Sequence, residues 1–199
     1  VEFLDKKDYI QRIAFKLFLN IGYDATSIRK ICKEAEIDPP TLYNFFGSKK
    51  GLFLAVTEAL LAQLVQETKS NHNLLSSLPP EMQLYSIFSM NINFAVTHFE
   101  ETKFFFRYSL FCPKELQDEV AVFLKSTHEA KCRAVNHILH ECMQKKIIGI
   151  DFEQAASYYW KFVNNHTFNV VFENWQPSKE ELLELWKMFF KCRLKGAQD

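Results

Sequence analysis

Apolar residues recur at helical spacing from the first turns of the chain onward. Ile10, Ile13, Ala14, Leu17, Phe18 and Ile21 follow an i, i+3, i+4, i+7 progression, which predicts a first helix over about 5–20 that stops at Gly22. A second helix is predicted over 26–35, with Ile28, Ile31, Cys32 and Ala35 inward and Thr26 as its N-cap. A third, shorter one begins after Asp38, a good N-cap, with Pro39 in the first helical position and Leu42 and Phe45 facing inward. Gly47 ends it, Ser48 caps the next, and a fourth helix is predicted over 49–69. The polar and proline-rich stretch 70–80 reads as a loop.

Helical periodicity continues to the carboxyl end. A fifth helix is predicted over 81–98 and a sixth over 102–111, which Pro113 ends. The seventh is long, 114–145, with Leu116, Val120, Leu124, Val135, Ile138, Leu139 and Cys142 in step. Gly149 breaks it, Asp151 caps an eighth helix reaching about 174, and Pro177 and Ser178 open a ninth to about 194. No segment has strand periodicity, so the predicted class is all-α, with about nine helices. The five glycines and six prolines in 199 residues fit, because a many-stranded fold needs more turns.

Apolar residues make up 48% of the chain, enough for a sizeable core, and the formal net charge is zero. Charge is not evenly spread. Residues 1–51 hold nine basic and seven acidic side chains, a net +2 that leaves −2 for the rest. Charged residues interrupt 1–19, and no later uncharged apolar run reaches ~18 residues, so neither a secretory leader nor a membrane span is expected. The chain opens on Val1, and a short arm ahead of it is expected. Five scattered cysteines do not suggest a disulfide framework, and a reducing cytoplasm is the expected setting.

The chemically specific stretch is 26–50, TSIRKICKEAEIDPPTLYNFFGSKK. A short helix, a tight turn, a second short helix and a capped start to a third form the layout that inserts one helix into the major groove of DNA. Such a reader needs a rigid apolar triangle, here Ile28, Ile31, Ile37, Leu42 and Phe45 with Ile13, Leu17 and Phe18. It also needs exposed groups that reach bases or phosphates, here Thr41, Tyr43 and Asn44.

Thr26-Ser27-Ile28-Arg29-Lys30-Ile31, followed by Thr41-Leu42-Tyr43-Asn44-Phe45-Phe46-Gly47-Ser48-Lys49-Lys50-Gly51-Leu52, resembles the signature of the tetracycline-repressor (TetR) family, over about residues 5–60. The resemblance implies a homodimeric regulator whose heads, 1–48, bind a palindromic double-stranded DNA operator. Its remaining helices, 49–199, would bind a small effector and dimerise, and effector binding would release the DNA. It places Thr26, Ser27, Pro39, Pro40, Thr41, Tyr43, Asn44 and Lys49 on DNA, with Thr26, Tyr43 and Lys49 on phosphates. Two departures stand out. Glu36 occupies a turn position where glycine is common, and Asp38-Pro39-Pro40 replaces a more usual Ser-x-Gly/Ala. Prolines offer no donor to base edges, so base reading is expected to shift to Thr41, Tyr43 and Asn44.

The remainder offers softer candidates. Aromatic density in the fifth and sixth helices can serve a core or the wall of an apolar effector pocket. The pocket reading takes Phe94, His98, Phe104, Phe105, Arg107, Tyr108, Phe123, Tyr159, Phe162 and His166. The last two helices look apolar on more than one side. Tyr159, Val163, Val170, Val171, Leu182, Trp186 and Phe189 are the residues expected at a four-helix dimer interface. His128 and Cys132 share a face at i, i+4 but lack further ligands nearby, so no metal or other cofactor is expected. A metal-dependent helical enzyme is the first alternative, and the chain lacks a Glu-x-x-His, His-Glu-x-x-His or Gly-x-Ser-x-Gly motif. A protein-interaction module of the same fold is the second. The expectation is a transcriptional repressor without catalytic activity.

Overall fold

A computed structural model of the chain describes residues 2–70 and 75–195. Among them run nine α-helices and no strand. In chain order these are α1 Glu2–Ile21, α2 Ile28–Glu34, α3 Pro39–Phe46, α4 Lys49–Ser70, α5 Pro80–Thr97, α6 Phe99–Leu110, α7 Gln117–Gln144, α8 Phe152–Glu173 and α9 Lys179–Phe189. A 3₁₀ turn, Lys114–Leu116, precedes α7, and a π-helical turn, Phe190–Leu194, extends α9. The sixth helix starts three residues ahead of its predicted position, with Glu100 and Glu101 in its first turn, where carboxylates favour a helix start. Of the predicted 70–80 loop, 71–74 lie outside the described residues.

The chain packs as two compact units. The first joins residues 1–70 to 103–124, and the second joins 71–102 to 125–199. This division differs from a boundary at 48/49, because α4 does not leave the head. Leu52, Phe53 and Val56 of α4 are buried in one cluster with Ile10, Ala14 and Phe18 of α1, Ile31 and Cys32 of α2, and Leu42 of α3. Phe104 and Tyr108 of α6 complete it, with ring centroids 5.6 Å and 4.8 Å from that of Phe53. Burying each such ring contributes about 1.5–3 kcal/mol.

Capping defines the helix ends. Ser27, not Thr26, is the N-cap of α2, its Oγ accepting from Lys30 N at 3.2 Å. Thr26 is buried, and its hydroxyl donates to Gly22 O at 2.7 Å. Asp38, Asp151 and Ser178 cap α3, α8 and α9 as their sequence positions predict. Gly51 is fixed by close approach: a Cβ there would stand 2.0 Å from Phe46 O.

The second unit has its own core. Leu84, Phe88 and Ile92 of α5 meet Val135 and Leu139 of α7, Tyr159 and Val163 of α8, and Trp186 of α9. The Tyr159 hydroxyl, buried, donates to Leu84 O at 2.9 Å. The expected dimer residues are therefore core residues. Tyr159, Val163, Val170, Val171, Leu182 and Trp186 are all buried, and Phe189 stacks on Phe162 with centroids 4.1 Å apart. The apolar stripe read from α8 is the stripe that faces inward. Its outward face instead carries Phe168 and Phe172, 40% and 55% exposed and stacked at 4.1 Å. No helix among the described residues is long and apolar enough to cross a membrane.

Candidate nucleic-acid interface

The turn between α2 and α3 determines what α3 presents. The N–H of Ile37 donates to Cys32 O at 3.0 Å, and Glu36 adopts φ +52°. This is a Schellman closure with a non-glycine residue in its left-handed position, at a cost of about 1 kcal/mol. The chain then enters α3 through Asp38, whose Oδ1 accepts from the N–H of Thr41 at 3.2 Å and from the Thr41 hydroxyl. The hydroxyl bond holds the Asp38 carboxyl below the ordinary carboxylate range. It also commits the Thr41 hydroxyl to the cap.

Leu42 is fully buried and pins α3 to the head core. The opposite face carries Pro39, Pro40, Tyr43 and Asn44, all exposed, with Tyr43 at 48%. Pro40, Tyr43, Asn44 and Gly47 follow i, i+3, i+4, i+7, a single helix face. Ser27 is exposed at the start of α2, as are Arg29 and Lys30. The Ser27 hydroxyl accepts its cap bond and keeps its own proton to donate.

The cations are differently placed. Lys49 is half-buried, its Nζ donating to Tyr23 O at 3.0 Å and lying 4.0 Å from the Tyr23 ring centroid. An ammonium has three donors, so two remain after this bond. Lys50 instead pairs with Glu119 at 2.6 Å, which lowers the Glu119 pKa and screens that lysine. Of the eight expected DNA residues, Thr26 is corrected: a buried side chain with its hydroxyl bonded to Gly22 O supports the head from within. Arg29 carries exposed charge that the motif match alone did not single out; the net +2 of 1–51 was its trace in the sequence.

The expected pocket residues fall in both units. Phe104, Phe105, Arg107, Tyr108 and Phe123 belong to the first unit, whereas Phe94, His98, Tyr159, Phe162 and His166 belong to the second. Phe104 and Tyr108 are buried in the head core, and Arg107 Nη1 donates to Leu19 O at 3.0 Å. In the second unit, Phe162 and His166 sit together with centroids 4.4 Å apart, and Phe94 and His98 at 4.5 Å. His128 and Cys132 do meet, Nε2 to Sγ at 3.3 Å. Among the described residues no three His, Cys, Asp or Glu side chains gather as metal ligands would.

Comparison with known proteins settles the head. Residues 10–56, from Ile10 of α1 to Val56 of α4, match the family model described as bacterial regulatory proteins of the tetR family. The head is a TetR-family helix-turn-helix domain. An uncharacterised HTH-type transcriptional regulator of Bacillus subtilis, YhgD, is 30% identical over 95 residues, 48% of this chain and 49% of that protein. The chain thus spans about half the length of this curated relative. Beyond the TetR head the likeness is one of fold. FadR of Bacillus subtilis, solved with stearoyl-CoA, superposes with a TM-score of 0.65 at 17% identity, over 96% of this chain and 98% of that one. The regulator CifR, solved as a cysteine mutant with a 26-bp operator duplex, gives 0.66 at 19% identity, over 94% and 95%.

Proposed function

We propose that the chain is a ligand-responsive transcriptional regulator, a repressor that binds a palindromic operator as a dimer and is released by a small apolar or amphipathic effector. The observation that carries this reading is the rigid head itself. Leu42 is buried while Tyr43 and Asn44 stand exposed on the same short helix, the division of labour a recognition helix needs. The family match supports it, as do neighbours of this fold solved with operator DNA and with an acyl-CoA. It does its work without catalysis, in the compartment that holds the DNA, the cytoplasm.

Dimerisation is assigned to the outward face of α8, where Phe168 and Phe172 stack. Two recognition helices must sit about one duplex turn apart, ~34–36 Å, to read two half-sites. An effector that prefers a dimer with a different spacing weakens DNA binding by its differential affinity for the two arrangements. The test is footprinting on the DNA flanking the chain's own gene. A protected site with two-fold symmetry supports the reading. Protection that is absent at low salt rejects it, and leaves an interaction module of the same fold.

A further inference from the structure

One face of α7 carries a cation with no counter-charge among the described residues. His128, Lys131, Cys132 and Val135 follow i, i+3, i+4, i+7 and share a face, which runs from exposed His128 through half-buried Lys131 and Cys132 to Val135, fully buried in the core of the second unit. Lys131 Nζ reaches one acceptor, Asn91 Oδ1 of α5, at 3.5 Å, the outer limit of a hydrogen bond. Asn91 is anchored in turn, its Nδ2 donating to Ile87 O at 2.7 Å. The described ion pairs all lie elsewhere, at Lys50, Lys145 and Lys187. Burial lowers the Lys131 pKa, and no carboxylate among the described residues offsets it.

A second donor lies against the same face. Trp160 of α8 packs on His128 with centroids 6.1 Å apart, and its indole N–H is buried without an acceptor. The indole N–H acts on the Cys132 thiol, whose pKa it lowers against the effect of burial, but a sulfur is a weak acceptor and does not satisfy it. A buried donor without an acceptor is unfavourable, and a desolvated charge without a counter-ion is more so. This set has donors in excess and no carboxylate, the opposite of a cation site and the complement of an anion.

We infer that Lys131, with Trp160 and oriented by Asn91, binds the carboxylate or phosphate head of an amphipathic anionic effector inside the second unit. The inference rests on the proposed reading that this unit senses a small molecule, and it names the class of that molecule. The charged head would sit between α5, α7 and α8, with its apolar part against the aliphatic and aromatic side chains of α5 and α8. Charge-assisted bonds from an ammonium are about twice as strong as neutral ones, so the head group should dominate selectivity.

The experiment uses the full chain with decanoate, decyl phosphate and decanol, followed by calorimetry and tryptophan fluorescence. Decanoate, decyl phosphate or both should bind at least about tenfold more tightly than decanol, and the comparison of the two anions tells carboxylate from phosphate. Lys131→Met should abolish that preference while leaving decanol binding unchanged. It should also melt at a higher temperature without ligand, since it removes a half-buried, desolvated charge, so loss of folding cannot be mistaken for loss of the site. Equal binding of decanol and the anions, undiminished anion binding by Lys131→Met, or binding of none of the three overturns the inference. Operator binding measured on the same samples separates the two readings. Anion binding by a chain indifferent to DNA would leave the site standing and remove the regulator, and the converse would do the reverse.

Discussion

The Tyr108 hydroxyl donates to the carbonyl of Phe18 at 2.9 Å, tying α6 to the last turns of α1. Both side chains are buried, and the Phe18 and Tyr108 rings each lie within 5.5 Å of Phe53, centroid to centroid. The head is therefore held by a helix some ninety residues downstream, and its stability cannot be assigned to 1–48 alone. Tyr108→Phe keeps the ring and removes the bond. It should cost about 0.5–1.5 kcal/mol, read as a lower melting temperature with unchanged helical content. A larger loss would mean that the hydroxyl does more than bridge two helices.

The same phenol gives a pH dependence. Burial pushes the Tyr108 pKa up to about 12, against about 10 in an unfolded chain. A raised folded-state value means that the stabilisation is complete below pH ~10 and is lost as pH rises through about 12. Buried Tyr159 shifts in the same direction. Denaturant midpoints should fall over this alkaline window, and Tyr108→Phe should flatten the fall.

Gly51 should resist substitution. An added Cβ would stand 2.0 Å from the Phe46 carbonyl oxygen, and a backbone atom cannot swing aside. Gly51→Ala, which raises stability at an ordinary helical position by about 1 kcal/mol, should here lower it by about 2 kcal/mol or more. Thermal melting of the variant decides the sign.

Exposed Phe168 and Phe172 predict an effect on assembly rather than on folding. Phe168→Ser with Phe172→Ser should leave the melting curve of the isolated chain nearly unchanged, since surface replacements stay within about 0.5 kcal/mol. Sedimentation should show dimers giving way to monomers. A dimer that survives both changes would place the interface elsewhere.

Lys131 supplies a test with the opposite sign. Its folded-state pKa is lowered, so the unfolded chain binds the extra proton and stability rises with pH up to the unfolded value near 10.4. The advantage of Lys131→Met over the natural chain should be greatest at low pH and vanish above that value. A constant advantage would show that the ammonium is not desolvated.

Much of this architecture was legible because helices announce themselves twice, by apolar spacing and by caps. Asp38, Asp151 and Ser178 each precede a helix and each cap it. The left-handed Glu36 followed from its place in the turn. What was not legible is which apolar stripe faces which neighbour. The sequence marks Tyr159, Val163, Val170 and Trp186 as sticky, but the same pattern serves a core or an interface. The structure uses it for the core and leaves the outward face to Phe168 and Phe172, two residues at i, i+4 on a polar background. Thr26 failed for a related reason. Ser and Thr can both cap, Ser the better, and here the carbonyl of Gly22 captures the Thr26 hydroxyl and leaves the cap to Ser27. Phe104 and Tyr108, read as pocket wall, are packed in the head core, a long-range partnership that periodicity does not encode.

The central claim is that the exposed face of α3 reads a duplex. Tyr43→Ala and Asn44→Ala leave buried Leu42 and the head core untouched, so both should fold as the natural chain does. Fluorescence anisotropy of a labelled duplex from the DNA flanking the chain's own gene, titrated across salt, measures the claim directly. The natural chain should bind with an affinity that falls steeply as salt rises, and Tyr43→Ala should lose about tenfold or more at every salt concentration. Equal affinity of the natural chain and Tyr43→Ala, or no affinity at low salt for any duplex offered, would contradict it.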